Sequence, residues 1–412
     1  MNSKRLELLR KRSYRLFVIG YTTSFFGTGM QFIANAWLAM ILSDELYSVA
    51  IVMGASALPG LLLSPFIGVL VDRMDRKKLI VWMDIFRAMV LLVIPILWWM
   101  QILEPWHLYL MSFLVAVGDT VYFPASMSLI REIVPSKLLL YANSTNMIGS
   151  QVGAIIGIGV GGVIAAAYPP VYVMIINSAS FIISGICTHL IRKGTLQSKG
   201  NAHSSGWTAY INQLKEGFQY INLNRGIIFF YSMMLFTRTT NVTLNVLLAP
   251  FAKDTLKVGA FGFGVIDAMY AVGAIVGNLW IPLLARKRGE SLVKSLGMFV
   301  LAISVFLLAA AQNLWMAMVC YLIAGVAFQI GVLFTTTAQQ NTDNDFQGRV
   351  FSIFNIVNTL LSLLIYMITA FFLSINEIRW LYVAQALILL MGGIITYRVF
   401  SSNKTTTTDI AK

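Results

Sequence analysis

Apolar stretches of membrane-spanning length recur along this chain, and they limit its fold more than any other feature. Six can be drawn over residues 14–41, 46–71, 79–101, 107–131, 138–168 and 171–191. Six more follow over 226–252, 259–285, 291–312, 314–338, 349–373 and 380–400. A helix needs roughly 20 apolar residues to cross the hydrocarbon of a bilayer. In lipid the backbone has to satisfy its own polar groups, so runs of this length are helices. Charged residues make up 11% of the chain and hydrophobic ones 58%, against about 25% charged in a soluble domain. The predicted fold class is an all-α membrane protein with about twelve transmembrane helices in two pseudo-symmetric six-helix bundles.

Charge sets the threading. A net charge of +13 would point a soluble protein toward nucleic acid. Here the basic residues collect in alternate loops: Lys4–Arg12, Arg73–Lys78, Arg192–Lys193 and Arg286–Arg288. The opposite loops hold only Lys253, Lys257 and Arg379. Positive residues stay inside, so both termini are expected in the cytoplasm of a bacterial cell, with the chain a multi-pass protein of the plasma membrane. No nucleic-acid partner is expected. Cys187 and Cys320 lie in apolar runs, and His107, His189 and His203 have no metal-ligand spacing. The basic start runs into an apolar stretch too long for a signal h-region, so no cleavable leader is expected.

A polar break divides the spans into two groups of six. The expected domains are an N-terminal bundle over 1–193, a cytoplasmic linker over 194–224, a second bundle over 225–400 and a disordered cytoplasmic tail over 401–412. The linker opens with the flexible composition of Ser198–Gly206. Trp207, Tyr210, Ile211, Leu214, Phe218 and Ile221 then recur at helical spacing, with Gln213, Lys215, Glu216 and Gln219 on the other face. This predicts an amphipathic helix at the inner membrane surface, serving either as a tether or as a regulator.

The charged loop between the second and third spans reads Gly68-Val-Leu-Val-Asp-Arg-Met-Asp-Arg-Lys-Lys78. Gly68, Leu70, Asp72, Arg73, Arg76 and Lys77 resemble the signature loop of the major facilitator superfamily, with Asp75 where the family usually has Gly. Gly277, Leu279 and Arg286–Arg288 form a worn copy in the second half. The variety most resembled is the drug, macrolide and siderophore exporter group. The resemblance implies that Asp72 meets the start of the eleventh span, near Asp345, and locks the outward-facing state. Gly68, Asp72, Arg73, Arg76 and Lys77 are then gating residues; the plainer alternative is a charge cluster that only sets topology.

The resemblance also implies a central cavity lined by spans one, four, seven and ten. Polar residues stand in helical register on those spans. Ser24, Thr28, Gln31 and Asn35 mark the first, and Tyr122 and Ser126 join Asp119 on the fourth. Asn241 and Asn245 join Arg238 on the seventh, and Gln329 and Thr336 mark the tenth. Ions inside a span are costly and are functional suspects by default. Asp119 is the candidate proton carrier, Arg238 the cavity cation, and Asp267 a structural partner or a coupling residue. Asp84 and Arg87 lie one turn apart and can pair with each other.

The fifth span carries Gly153, Gly157 and Gly161 at four-residue steps, which lets helices pack closely. Gly157-x-Gly159-x-Gly161-Gly162 resembles the antiporter motif of family exporters, with Ile158 in place of its Pro.

These features predict a secondary active transporter, a proton-coupled exporter of hydrophobic or amphiphilic small molecules working by alternating access. The alternatives are a siderophore, lipid or metabolite transporter of the same fold and, remotely, a polytopic membrane enzyme. Short loops nearly without His argue against the enzyme. There is no phosphate-binding Gly-x-x-x-x-Gly-Lys-Ser/Thr loop. No cofactor or metal is expected, the proton gradient being the energy source. The expected partners are a small-molecule substrate and the bilayer, with the protein a monomer.

Overall fold

The structure is a computed structural model that describes residues 3–43, 46–192, 207–372 and 377–409. It is helical throughout those segments apart from short turns and divides into two compact units, Met1–Ile211 and Asn212–Lys412. The division falls within the polar break at 194–224, whose first part, 194–206, lies outside the described residues.

The first unit contains α1 (Ser3–Arg10), α2 (Arg12–Ser43), α3 (Leu46–Arg73), α4 (Arg76–Trp99), α5 (Pro105–Ile133), α6 (Leu139–Ala167) and α7 (Val171–His189). Next come α8 (Trp207–Leu223), α9 (Gly226–Pro250), α10 (Gly259–Arg288), α11 (Glu290–Ala309), α12 (Leu314–Phe328), α13 (Ile330–Gln340), α14 (Asn344–Phe372) and α15 (Ile378–Asp409). Ten helical stretches among the described residues are long and apolar enough to cross a bilayer, α12 and α13 counting together as one. The 25-residue α9 is less apolar because Arg238 sits among Thr237, Thr239, Thr240, Asn241 and Thr243. The 28-residue α3 is apolar over Tyr47–Leu63.

Helix ends follow local chemistry. Asp75, the departure from the family loop, caps α4: its side chain accepts from the Lys78 backbone N–H at 3.2 Å. Asn313 caps α12 in the same way through Met316 N at 2.9 Å. Gly289 takes φ +89° where α10 gives way to α11, a conformation that favours glycine. The tenth span, read as one segment, breaks at Gln329 into α12 and α13. The last helix runs on to Asp409, past the 401 boundary where composition predicts a disordered tail; no Gly or Pro intervenes to end it.

The two units repeat one packing plan. In the first, α2 packs on α6 and α7, α3 on α5, and α4 on α5 and α7. In the second, α9 packs on α14 and α15, α10 on α12, and α11 on α12 and α15. Each of those second-unit helices stands where its counterpart six spans earlier stands, which is the mark of a duplicated six-helix unit. Large apolar side chains such as Trp82, Met89, Leu279, Trp280 and Phe371 are exposed, as a lipid-facing surface requires. Exposed Trp99, Trp106, Trp315 and Trp380 sit at helix ends, where amphipathic rings suit the membrane interface.

Candidate functional site

In the first unit, a cation common to two carboxylates organises the charge. Arg87 on α4 is 1% exposed and bonds both Asp84, one turn earlier, and Asp119 on α5. Its guanidinium donates to Asp119 Oδ1 at 2.5 Å. The Asp84 side chain is fully buried, whereas that of Asp119 is 43% exposed. Tyr122 and Phe181 hold the guanidinium between them, each ring centroid 4.1 Å from Cζ, and such contacts strengthen when water is excluded. Tyr122 also shares a 3.4 Å hydrogen bond with Ser184 and stacks with Tyr21 at 6.4 Å. Sequence spacing shows that Asp84 and Arg87 can pair, and it names no partner for Asp119. In the structure the cation partnering Asp119 is Arg87.

The polar stripe on α2 divides. Gln31 and Asn35 are buried against neighbouring helices of their own bundle. Asn177 Nδ2 donates to Gln31 Oε1 at 2.8 Å, and Asn35 Nδ2 donates to Ser112 Oγ at 3.5 Å. Thr28 donates to the Ser24 carbonyl, inside its own helix. Ser24 and Ser126 are also buried, and Ser126 Oγ has no hydrogen-bond partner among the described residues. Asn177 and Ser112, which fix the two amides, were not singled out from sequence; their only signal was polarity inside apolar spans.

The signature loop ties helix ends together. Arg76 pairs with Glu132 of α5 at 3.0 Å, and Lys77 donates to the Ile191 carbonyl beyond α7 at 2.8 Å. Arg73 is exposed. The side chains of Asp72 and Asp345 lie outside the described residues, as does the surrounding of Gly68.

In the second unit, four of the residues expected at a cavity line one. Arg238, Asn241, Gln329 and Thr336 border a space of about 590 Å³ between α9, the α12–α13 break and α14. Asn245 reaches it indirectly, donating to Asn241 Oδ1 at 3.1 Å, while Asn241 Nδ2 donates to the Tyr270 hydroxyl at 3.0 Å. Thr237, Thr335, Gln339 and Asn358 complete the polar lining, and Met234, Val242, Phe328 and Val332 supply apolar surface. Gln329 lies at the helix break and lines the cavity with its neighbours Phe328 and Gly331.

Asp267 lies apart from that lining. It is buried in α10, and no cation pairs with it among the described residues. Lys294 of α11 is a further buried ion, outside the residues singled out from sequence. Its Nζ donates to Glu290 Oε2 at 2.9 Å and Thr337 Oγ1 at 2.5 Å, with Phe230, Phe334 and Phe400 around it. The Glu290–Lys294 spacing of four was the available signal.

The glycines of α6 face α2 at very short range. A Cβ at Gly153 would meet the Thr22 carbonyl oxygen at 2.5 Å, and one at Gly161 would meet Met30 Cα at 3.0 Å. At Gly157 it would strike the Phe26 carbonyl oxygen, while at Gly159 it would meet nothing within 4 Å.

Two repeated six-helix units, ions inside the spans and a half-polar cavity define a membrane transporter rather than an enzyme. The chain belongs to the transmembrane secretion effector family of the major facilitator superfamily, which it matches over residues 4–409. It is a multi-pass secondary transporter of small molecules. Macrolide efflux protein A of Streptococcus pyogenes is 22% identical over 351 residues, covering 82% of this chain and 86% of that protein. The MFS-type transporter YfiS of Bacillus subtilis (strain 168) is 24% identical over 332 residues, 76% of this chain and 75% of its own. The crystal structure of the nucleoside transporter NupG superposes with a TM-score of 0.75 at 12% identity, covering 94% of this chain and 99% of that one. That likeness establishes the shared fold.

Proposed function

We propose that the protein is a proton-coupled exporter of hydrophobic or amphiphilic small molecules in a bacterial plasma membrane. It works as a monomer with both termini in the cytoplasm, the two six-helix units rocking to expose a site to either side in turn. Gly68, Asp72, Arg73, Arg76 and Lys77 form the gating loop.

One observation carries the coupling: Arg87 is shared between a buried carboxylate, Asp84, and an open one, Asp119. Two carboxylates around one guanidinium leave a surplus negative charge. One proton on Asp119 cancels it and leaves Arg87 matched by Asp84 alone. Asp119 is the accessible member, so it is the group that takes and releases the proton. Asp267 remains a second coupling candidate. The cavity beside Arg238 is the substrate site, mixing apolar wall with a few polar groups in the way ligand pockets do. The export direction is supported by the relative that is a macrolide efflux protein.

The test is a compound panel in inverted vesicles carrying the full chain, with the pH gradient followed as each compound is added. An exporter that exchanges substrate for protons collapses the gradient only with its substrates. Uptake without gradient collapse, or accumulation only in right-side-out vesicles, contradicts the reading.

A further inference from the structure

Arg238 has an unusual place among the ions of its unit. Lys294, buried in the same unit, is matched by Glu290 and Thr337. Arg238 lines the cavity, and no carboxylate stands among the lining residues. No side chain among the described residues forms an ion pair with it. An arginine within a span is costly, and a guanidinium without a protein acceptor offers its planar fork to a ligand.

The other lining groups leave that role to Arg238. Thr335 and Thr336 donate their hydroxyl protons to the Gly331 and Val332 carbonyls, both at 2.8 Å. Thr237 does the same to Met234 O at 2.8 Å. These hydroxyl protons are thus held within the helices, which leaves the oxygens as acceptors. Asn358 Oδ1, buried and without a hydrogen-bond partner among the described residues, is another acceptor. Among the described residues the guanidinium is the one ionic donor in a wall that otherwise presents hydroxyl oxygens, amides and apolar surface.

From this we infer that the transported molecule is an amphiphilic acid. Its carboxylate or other oxyanion binds Arg238 through paired N–H donors, and its apolar body lies against Met234, Val242, Phe328 and Val332. The inference rests on reading this cavity as the substrate site, and it narrows the substrate from any amphiphile to an anionic one.

Dansyl-leucine and its methyl ester test it, since they share the apolar body and differ in the acid. Binding to the purified full chain is followed by fluorescence titration with no gradient present. The acid is expected to bind at least about tenfold more tightly than the ester, the size of a charged hydrogen-bond pair. R238Q should weaken the acid to parity with the ester, and R238K should fall between. Parity in the parent protein, tighter ester binding, no saturable binding of either, or a preference that survives R238Q overturns the inference. The parent comparison needs no variant, so a misfolded R238Q still leaves a decision. An acid preference in a protein that never collapses a pH gradient would sink proton-coupled export and leave this assignment standing.

Discussion

Arg87 and Asp119 form a 2.5 Å hydrogen-bonded ion pair whose cation is 1% exposed and whose carboxylate is 43% exposed. The same guanidinium also holds the fully buried Asp84. One cation thus joins a closed carboxylate to an open one, and the two acids have different tasks. Asp84 keeps a buried arginine matched, while Asp119 meets the surroundings.

Replacing Arg87 by leucine strands Asp84 without a cation. Breaking a buried pair from one side costs about 3–5 kcal/mol. Arg87→Leu should lower the melting temperature sharply in detergent, and the double variant with Asp84→Asn should recover much of the loss. An Arg87→Leu protein as stable as its parent would show that the pair has little to do with stability.

The glycines of α6 give a prediction with its own control. Gly157→Ala drives a methyl into the Phe26 carbonyl, and overpacking of this kind costs typically about 1–3 kcal/mol. Gly159→Ala points into open space and should be neutral or mildly stabilising, since alanine favours helix over glycine by about 1 kcal/mol. Thermal unfolding of the two variants checks the contrast; equal melting temperatures would contradict the packing described here.

The linker helix α8 is held by its aromatic contact more than by its ion pair. Glu216 and Arg349 pair at 2.9 Å, but both are substantially exposed, and exposed pairs contribute about 0–1 kcal/mol. Tyr220 is buried, stacks on Phe346 at 4.5 Å and accepts from the Asp343 backbone N–H at 3.0 Å. Tyr220→Ala should therefore speed proteolysis within 194–224 several-fold, while Arg349→Ala should change it little. Limited trypsin digestion of the full chain reads both.

The sequence made the spans legible because hydrocarbon leaves long apolar runs no conformation but the helix. The duplicated plan was legible from the polar break and from the worn loop at Gly277–Arg288. Helical spacing put Arg238 with Asn241 and Gln329 with Thr336, each pair on one face of its span, and the family resemblance implied that the two spans share a cavity. Partner choice was less visible. Spacing along α4 showed that Arg87 could reach Asp84, but nothing linear showed that Asp119 of α5 would share it. Polarity in a span does not say which neighbour meets it: the Gln31 amide accepts from Asn177, and Asn35 donates to Ser112 while its Oδ1 has no partner among the described residues. Spacing predicts the linker helix but not its neighbours: Gly217, Tyr220 and Ile221 are buried, with Gly217 close to Ile353 and Arg349, while Phe218 of the expected apolar face is exposed.

On the proposed mechanism Asp119 carries the coupled proton. The direct measurement compares the parent protein with Asp119→Asn in inverted vesicles, at matched protein levels, after an imposed acid interior. The parent should discharge the gradient when a transported compound is added, and Asp119→Asn should leave the gradient intact while still binding that compound. Equal discharge by both proteins would remove Asp119 from the proton path.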